Sequence, residues 1–324
     1  MNTFARPKIL VSKCIEFDHC RYDGSMISSK LVEDLKDYVD FIPVCAEMEI
    51  GFPSPRDSLR LVGTEEKSYL VKSNTGEDFT DKMIDFTKKF LENNTKDIDG
   101  AILKSKSPSC GIKEVKIYKS HGKAMSLGKK GKGIFGNLVL EYHADIPVED
   151  EARLSDFTIR ENFLTKIFLI ADYKETIKSK KMKDLIDFHS RNKYLLMMYN
   201  QSQLKILGSI LGNHDKKNID EVFYLYAENL LKALKRNPSY KTKINMLLHI
   251  FGYFSEELTS EEKAFFLDNL ENYRNSKVPF SLPLSVLYSW AIRFNQEYLK
   301  KQRIFKSFPT ALINVTDSGK GRER

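Results

Sequence analysis

The fold is decided by residues 7–45, which read PKILVSKCIEFDHCRYDGSMISSKLVEDLKDYVDFIPVC. Residues 9–11, ILV, predict a first buried strand, and residues 41–44, FIPV, predict a second. Between them, residues 29–39 place four apolar side chains at helical spacing. A strand, a helix and a second strand form a βαβ unit, which predicts a parallel sheet.

The chain continues this alternation and then changes character. Residues 79–93 predict another helix, and residues 100–103, GAIL, predict a third buried strand. From about residue 154 the patterns are helical only, and the predicted helices span 157–173, 185–199, 203–211, 219–236, 240–254, 260–273 and 284–303. We therefore predict a Rossmann-like α/β domain over residues 1–150 and an all-α domain over residues 151–324.

Each of the three predicted strands ends shortly before a cysteine. Cys14 lies three residues past the first strand, Cys45 directly follows the second, and Cys110 lies in the loop SKSPSCG that leaves the third. Loops at the carboxyl ends of parallel strands converge on one crevice, so we expect these thiols to meet there. The alternative is that free cysteines pack as small apolar side chains. The sequence has no C-x-x-C pair, which argues against a zinc ribbon or a thioredoxin-like motif.

Composition excludes several classes of protein. The chain has 324 residues, of which 41% are hydrophobic and 30% charged, as in a globular protein of about two domains. No stretch reaches the roughly 18 apolar residues of a membrane helix, and the first ten residues, MNTFARPKIL, lack the apolar core of a secretory signal. We expect a cytoplasmic protein without disulfides or a membrane partner.

The positive charge is concentrated in the second half of the chain. Residues 1–150 carry 23 basic and 24 acidic side chains, whereas residues 151–324 carry 29 basic and 20 acidic ones. The first half still contains a lysine run from Lys113 to Lys132, interrupted only by Glu114. This pattern favours a polyanionic partner, with ordinary solubilising lysines as the alternative.

Several separated motifs resemble one known family. In the first half they are VSKCIEFDHCRYDG at 11–24, PVCAEMEIGFPSPR at 43–56 and ILKSKSPSCGIK at 102–113. They resemble the iron–sulfur desulfidases of the thiouracil desulfidase family, and the resemblance covers nearly all of residues 7–149. In the second half, LIDFHSRNKYLLMMYN at 185–200, INMLLHIFGYF at 244–254 and SWAIRFNQEYLKKQRIF at 289–305 resemble the helical domain often fused to it. The fused arrangement resembles the RNA 4-thiouridine desulfidases.

Two positions depart from the family pattern. Phe17 stands where short members tend to have glycine, which agrees with the fused branch. Ala46 stands where most members have proline, and it loosens the backbone next to Cys45.

The resemblance implies a 4Fe–4S cluster held by Cys14, Cys45 and Cys110, with one iron left open to substrate. Thiolates are the ligands that such clusters require, and an open iron would be a Lewis acid for a soft thiocarbonyl sulfur. We assign Cys20 a packing role, with a ligand role as the alternative.

Other site residues follow from the same motifs. Glu47 matches the family's carboxylate and is predicted to activate water or protonate the ring. Lys104 is predicted to stabilise developing negative charge, and Ser25 completes the predicted catalytic set. The residues predicted to support the loops or the substrate are Arg21, Ser107 and Ser109.

Candidate RNA contacts lie in the second half. Lys193 and the neighbouring His189 lie on a polar face of a predicted helix, and Arg293, Lys300 and Lys301 form a stripe along the last one. Ordinary surface residues are the alternative. The sequence has no helix-turn-helix, zinc-finger or RNP motif, so DNA binding is not expected.

The predicted function is removal of sulfur from 4-thiouridine in tRNA or other thiolated RNA, converting a thiocarbonyl to a carbonyl and releasing sulfide. A basic second domain favours RNA over a free base. The alternatives are desulfuration of free thiouracil or thionucleosides, a non-enzymatic iron–sulfur RNA-binding protein, and an electron-transfer cluster with a fourth protein ligand. If RNA does not contact the second half, the run from Lys113 to Lys132 is the expected surface.

Overall fold

The computed structural model describes residues 4–64 and 66–316, which form two compact units. The first unit runs to Ala171 and includes the segment that begins at Ala311, and the second is Asp172–Thr310. The first unit thus extends beyond residue 150, and the domain boundary at that residue stays a prediction. In the described part of the chain, no helix has the length and apolar character needed to cross a membrane.

The bounds of the elements are as follows. The described strands are β1 (Lys8–Ser12), β2 (Asp40–Val44), β3 (Leu59–Gly63), β4 (Ser68–Lys72), β5 (Gly100–Leu103), β6 (Val115–Tyr118), β7 (Ser126–Gly131) and β8 (Val148–Asp150). The described α-helices are α1 (Lys30–Leu35), α2 (Ala46–Glu49), α3 (Thr80–Asn94), α4 (Ile134–Tyr142), α5 (Phe157–Ile177), α6 (Met182–Tyr199), α7 (Gln201–Gly212), α8 (Ile219–Leu234), α9 (Tyr240–Phe251), α10 (Ser260–Arg274), α11 (Ser281–Arg293) and α12 (Glu297–Lys300).

A parallel sheet forms the centre of the first unit. Its strand order is β2-β1-β5-β8, and every neighbouring pair is parallel. Ile9, Leu10 and Val11 of β1 are completely buried, as expected for a strand covered on both faces. The predicted α/β class and its three predicted strands are confirmed.

A second sheet was not predicted from the sequence. Its order is β4-β3-β6-β7, and only the β3–β6 pair is parallel. Leu61 and Ile117 of this sheet share one core with Leu10 and Leu103 of the first. Strand β7 reads SLGKKG and buries no side chain, so it lacks the apolar and β-branched residues by which strands are recognised.

The second unit is helical, as predicted, but the predicted extent of its last long helix is wrong. The sequence pattern predicts a helix over residues 284–303, whereas α11 ends at Arg293. Asn295 then adopts a left-handed backbone conformation with φ of 51°, and the short helix α12 and a 3₁₀ turn at Arg303–Phe305 follow. Apolar periodicity continues across the break, which is why the pattern does not reveal it.

Trp290, the single tryptophan of the chain, lies in the core of the second unit. Its side chain packs on Phe254 and Phe266, with ring centroids 5.9 and 5.5 Å away. The indole therefore reports on the packing of this unit.

Candidate metal centre

Three loops that carry cysteines follow three adjacent strands of the parallel sheet. Cys14 follows β1, Cys45 directly follows β2 and precedes α2, and Cys110 lies between β5 and β6. These strands are neighbours and parallel, so their carboxyl ends lie at one edge of the sheet. The three cysteines and Cys20 line one cavity of about 650 Å³. The structure brings together the thiols that the sequence predicted to meet, while their role as ligands stays a prediction.

The loop of Cys110 is fixed by close backbone contacts with α4. The Ser107 hydroxyl accepts the backbone N–H of Cys110 at 3.0 Å, and the N–H of Gly136 donates to the carbonyl of Ser109 at 3.0 Å. A Cβ atom on Gly136 would lie only 2.5 Å from the carbonyl oxygen of Cys110. Glycine at this position therefore lets α4 lie directly against the third cysteine loop.

The pKa values of Cys20, Cys45 and Cys110 are raised by neighbouring thiols and by burial. Hydrogen bonding with the Cys14 thiol raises the pKa of Cys20 to about 11. Hydrogen bonding with Cys20 and burial raise the pKa of Cys45, and burial raises the pKa of Cys110. Several thiolates are therefore unfavourable in this cavity without a bound cation. Iron would supply that charge, so the donor set fits a thiolate-bound iron cofactor.

The arrangement does not suit a single metal ion. In the described ranges, no three His, Cys, Asp or Glu side chains are placed to hold one ion. A cluster has a different requirement, because each thiolate binds its own iron and the sulfurs need not surround one point. A set of soft sulfur donors on separate loops agrees with an iron–sulfur cluster.

A buried ion pair connects the loops. The Glu47 carboxylate accepts hydrogen bonds from Nε and Nη2 of Arg56 at 2.8 and 2.5 Å through Oε2, and from the Ser109 hydroxyl at 2.8 Å through Oε1. Nη1 of Arg56 donates to the carbonyl of Cys20 at 3.0 Å. The side chains of Arg56 and Glu47 are only 4% and 13% exposed. The sequence did not predict this pairing, although Arg56 is the last residue of the second motif.

Lys104 is also held by a partner that the sequence did not predict. Its Nζ lies 2.5 Å from Oε1 of Glu151, and the backbone N–H of Ser105 donates to Oε2 of the same carboxylate at 2.7 Å. Lys104 lines the cavity and its charge is balanced by Glu151, while its role in stabilising developing negative charge stays a prediction.

Of the remaining predicted site residues, some line the cavity and others lie beside it. Arg21 and Ser107 line the cavity, whereas Ser109 is fully buried beside it. Ser25 is not part of the cavity lining: its hydroxyl donates to Asp23 at 2.6 Å and accepts from Arg21 at 2.5 Å. In this arrangement Ser25 orients Arg21, and its predicted catalytic role is not tested.

The second sheet adds a basic wall to the same cavity. The wall is formed by Arg60 on β3, Lys116 and Tyr118 on β6, and Lys130 on β7. The Arg60 guanidinium lies 4.5 Å from the centre of the Tyr118 ring. The cavity therefore has thiols at the sheet edge and cations on the second sheet. The sequence showed the lysine run but not its position.

The predicted RNA contacts Arg293, Lys300 and Lys301 do not form one stripe along a helix. The stripe is wrong because the chain turns between α11 and α12. Arg293 pairs with Glu262 at 2.5 Å, and Lys300 pairs with Glu297 at 2.5 Å. Contact of these residues with RNA stays a prediction.

The polar face of α6 is largely occupied by internal contacts. His189 Nδ1 lies 2.9 Å from the hydroxyl of Tyr226, and burial lowers the pKa of His189 to about 4. Lys193 is different, since its Nζ lies 5.6 Å from the ring centre of Tyr194, and its predicted contact with RNA is not tested.

Comparisons with known proteins identify the family of the cysteine-bearing part of the chain. The model of the 2-thiouracil desulfurase family matches residues 9–151. The chain is 34% identical over 110 residues to the uncharacterized protein YbbK of Bacillus subtilis, which covers 32% of this chain and 72% of that protein. Through its cysteine-bearing part, the chain therefore belongs to the 2-thiouracil desulfurase family.

The chain is also similar to a second protein family, a second relative and one solved structure. Residues 193–309 match a protein family of unknown function, DUF1722. The chain is 26% identical over 136 residues to the uncharacterized protein YbgA of Escherichia coli, covering 42% of this chain and 80% of that protein. A solved structure, the 4Fe–4S-dependent thiouracil desulfidase TudS, is 27% identical and covers 46% of this chain and 93% of its own, with a TM-score of 0.37.

Proposed function

We propose that the first unit is a desulfidase that converts the thiocarbonyl of a thiouracil-type base to a carbonyl, with a 4Fe–4S cluster on Cys14, Cys45 and Cys110. The observation that carries this proposal is the convergence of cysteines from three strand-end loops on one cavity, in the part of the chain that the desulfurase family matches. The reaction is hydrolytic: C=S and water give C=O and H₂S, so no external electron donor is needed.

Three thiolates account for three of the four irons. When bound, such a cluster supplies a Lewis-acidic iron for the soft sulfur of the substrate. Cys20 also lines the cavity and lies beside two of the proposed ligands, and we keep for it the packing role that the family resemblance implies.

Proton handling is the work of Glu47. Its Oε2 accepts two hydrogen bonds from Arg56, whereas Oε1 accepts one from Ser109, so Oε1 keeps acceptor capacity. We assign Oε1 as the atom that takes a proton from the attacking water. The water oxygen ends on the ring carbon, and both of its hydrogens leave with the sulfur. Lys104, balanced by Glu151, holds the loop that leads to Cys110.

A free base or nucleoside is the substrate class that the family description and a cavity of about 650 Å³ support best. One observation favours a second candidate, 4-thiouridine within tRNA. The second half carries 29 basic and 20 acidic side chains, an excess that a small uncharged base does not require.

The test is sulfide release under anaerobic conditions. The purified chain is incubated with 2-thiouracil, 4-thiouracil, 4-thiouridine and thiolated tRNA, and both sulfide and the oxygen-containing product are measured. We expect the two products to form in equal amounts. Faster turnover of thiolated tRNA would select the second candidate. A brown, iron-containing protein that releases no sulfide from any of them would contradict the desulfidase and favour a sensor or electron-transfer protein.

A further inference from the structure

Ser12 is a buried polar residue at the carboxyl end of β1, and the proposed mechanism does not use it. It follows the buried apolar residues Ile9, Leu10 and Val11, is only 1% exposed and lines the cavity that holds the cysteines. A hydroxyl in such a place requires hydrogen-bonding partners, because an unsatisfied buried hydroxyl is destabilising. The partners of Ser12 therefore show what its side chain does.

The first partner of Ser12 is the loop that leads to the third cysteine. Its Oγ accepts the backbone N–H of Lys104 at 2.9 Å, directly after β5, the strand that pairs with β1. A hydroxyl whose oxygen accepts an N–H still has one hydrogen to donate. The hydrogen of the Ser12 hydroxyl is therefore available to a second group.

The second partner of Ser12 is the sulfur of Cys110. Burial raises the pKa of Cys110, and hydrogen bonds with Ser12 and Ser107 act in the opposite direction. A hydrogen bond that lowers the pKa of a thiol stabilises its thiolate, so both hydroxyls donate to the sulfur. Ser107 is held in the same way as Ser12, since its Oγ accepts the backbone N–H groups of Ser109 and Cys110 at 3.2 and 3.0 Å. Two hydroxyl donors thus meet at one buried sulfur.

The cysteine on the second loop has different partners. Hydrogen bonding with the thiol of Cys20 and burial raise the pKa of Cys45, and a hydrogen bond with the backbone of Met48 lowers it. Hydrogen bonds to the ligand sulfurs are one determinant of the reduction potential of an iron–sulfur cluster. Cys45 and Cys110 are therefore not equivalent as ligands.

We propose that Ser12 is a positioning residue for the cluster: its hydroxyl donates to the sulfur of Cys110 and thereby raises the reduction potential of the bound cluster and the Lewis acidity of its open iron. This inference rests on the proposed desulfidase and deepens its site by naming a residue that acts through a ligand. A hydrogen bond withdraws electron density from the thiolate, and an electron-poor iron polarises a thiocarbonyl more strongly. The donor is fixed in place, since the backbone of Lys104 holds its oxygen.

The test compares Ser12→Ala with the native chain, both loaded with iron and sulfide under anaerobic conditions. The midpoint reduction potential of the cluster is measured by redox titration followed by electron paramagnetic resonance, and kcat is measured with 4-thiouridine. We expect the potential of Ser12→Ala to be more negative than that of the native chain. We expect its kcat to fall by about tenfold, the lower end of what loss of such a partner costs.

Ser105→Ala is the matched control. Ser105 lines the same cavity, but its hydroxyl donates to the carboxylate of Glu151 at 2.8 Å. This variant also loses one hydroxyl, and its cluster is expected to keep the native potential. Ser12→Thr keeps a hydroxyl at the position and is expected to restore the native potential. A purely structural role of Ser12 would lower the iron content without shifting the potential of the clusters that remain.

The vibrations of the native cluster provide an independent measurement. Iron–sulfur stretching bands in resonance Raman spectra shift on transfer from water to heavy water when an exchangeable hydrogen is bonded to a ligand sulfur. We expect such a shift in the native chain and a smaller one in Ser12→Ala.

Three results would overturn the inference: a native potential in Ser12→Ala, a shift of potential in Ser105→Ala as large as that in Ser12→Ala, or no change of the native Raman bands in heavy water. A chain that holds the cluster but releases no sulfide from any thiolated substrate would instead refute the proposed function, and the potentials would still decide the role of Ser12.

Discussion

At the residue scale, one arginine holds the acid of the site and touches the backbone of a cysteine. Arg56 binds Glu47 through two nitrogens and the carbonyl of Cys20 through the third. Glu47 in turn accepts from Ser109, the residue before Cys110. One side chain therefore positions the carboxylate relative to two of the three loops, and its loss would displace the proposed proton acceptor.

We predict that Arg56→Ala lowers kcat for sulfide release by about 10²-fold, because a misplacement of about 1 Å is sufficient for such a loss. The kcat of Arg56→Lys is expected to lie between those of Arg56→Ala and the native chain. A lysine ammonium keeps the positive charge but cannot make the bidentate contact of a guanidinium with the carboxylate. The measurement is kcat together with iron content, which should stay unchanged. Arg6→Ala is the control, because Arg6 pairs with Asp40 on the surface. Equal kcat values for Arg56→Ala and Arg6→Ala would contradict the positioning role.

The cysteines separate into two classes by their expected effects. Replacing Cys14, Cys45 or Cys110 by serine should remove the brown colour and the activity, because a hydroxyl is a poor ligand for iron in such clusters. Cys20→Ser should keep both, as measured by visible absorbance, iron content and sulfide release. Equal sensitivity at Cys20 would require four protein ligands and would exclude an open iron.

At the element scale, burial separates what the sequence predicts from what it does not. Strands β1 and β5 are recognisable because their buried apolar residues fill the interior of a parallel sheet. Strand β2 lies at the edge of that sheet and buries only Val44, and its run of apolar residues still marks it. The β6–β7 hairpin is not recognisable, since its lysines and glycines resemble a loop and its pairing depends on β3, more than fifty residues away in the chain. The break after α11 is hidden for a different reason, because Asn295 changes the backbone without interrupting the apolar pattern.

The contact between α4 and the third cysteine loop provides a test at this scale. Gly136→Ala places a Cβ atom against the carbonyl oxygen of Cys110, and we expect it to destabilise the first unit by about 1–3 kcal/mol and to lower iron content. Thermal unfolding and iron analysis measure the two effects. Gly208→Ala in α7 is the matched control, because a Cβ there has no atom within 4 Å. It should be neutral or stabilising by up to about 1 kcal/mol. Normal iron content in Gly136→Ala would contradict the fixed loop.

At the scale of the whole molecule, the sequence predicted the cysteine positions and the carboxylate but not the partners that hold them. Glu151 lies directly after the predicted domain boundary at residue 150, yet it balances Lys104. Such pairs join residues that are distant in the chain, and their geometry depends on how loops close over the sheet edge. The local motifs were sufficient to predict that the three cysteines meet at one cavity, because each lies in the loop that follows its own strand.

Removal of the cofactor should affect the two units differently. Because a ligand that binds only the folded state stabilises it, loss of iron should lower the unfolding temperature of the first unit. Trp290 packs within the second unit, and its fluorescence is expected to show an unchanged transition. Circular dichroism and tryptophan fluorescence are compared before and after iron chelation under anaerobic conditions. A shift of the Trp290 transition as large as that of the first unit would show that the units unfold together.

The order of strands in the parallel sheet also determines the order in which the three cysteines come together as the chain folds. Strands β1 and β2 are neighbours in the sheet and near in the chain, so an emerging polypeptide brings Cys14 and Cys45 together early. The third thiol arrives only when β5 joins the other side of β1, after more than a hundred residues have been made. Iron that arrives earlier finds only two of the three proposed thiolate ligands, Cys14 and Cys45. On the proposed ligand set, all three thiols are available to a cluster only once the chain through Cys110 has been made and β5 has joined the sheet.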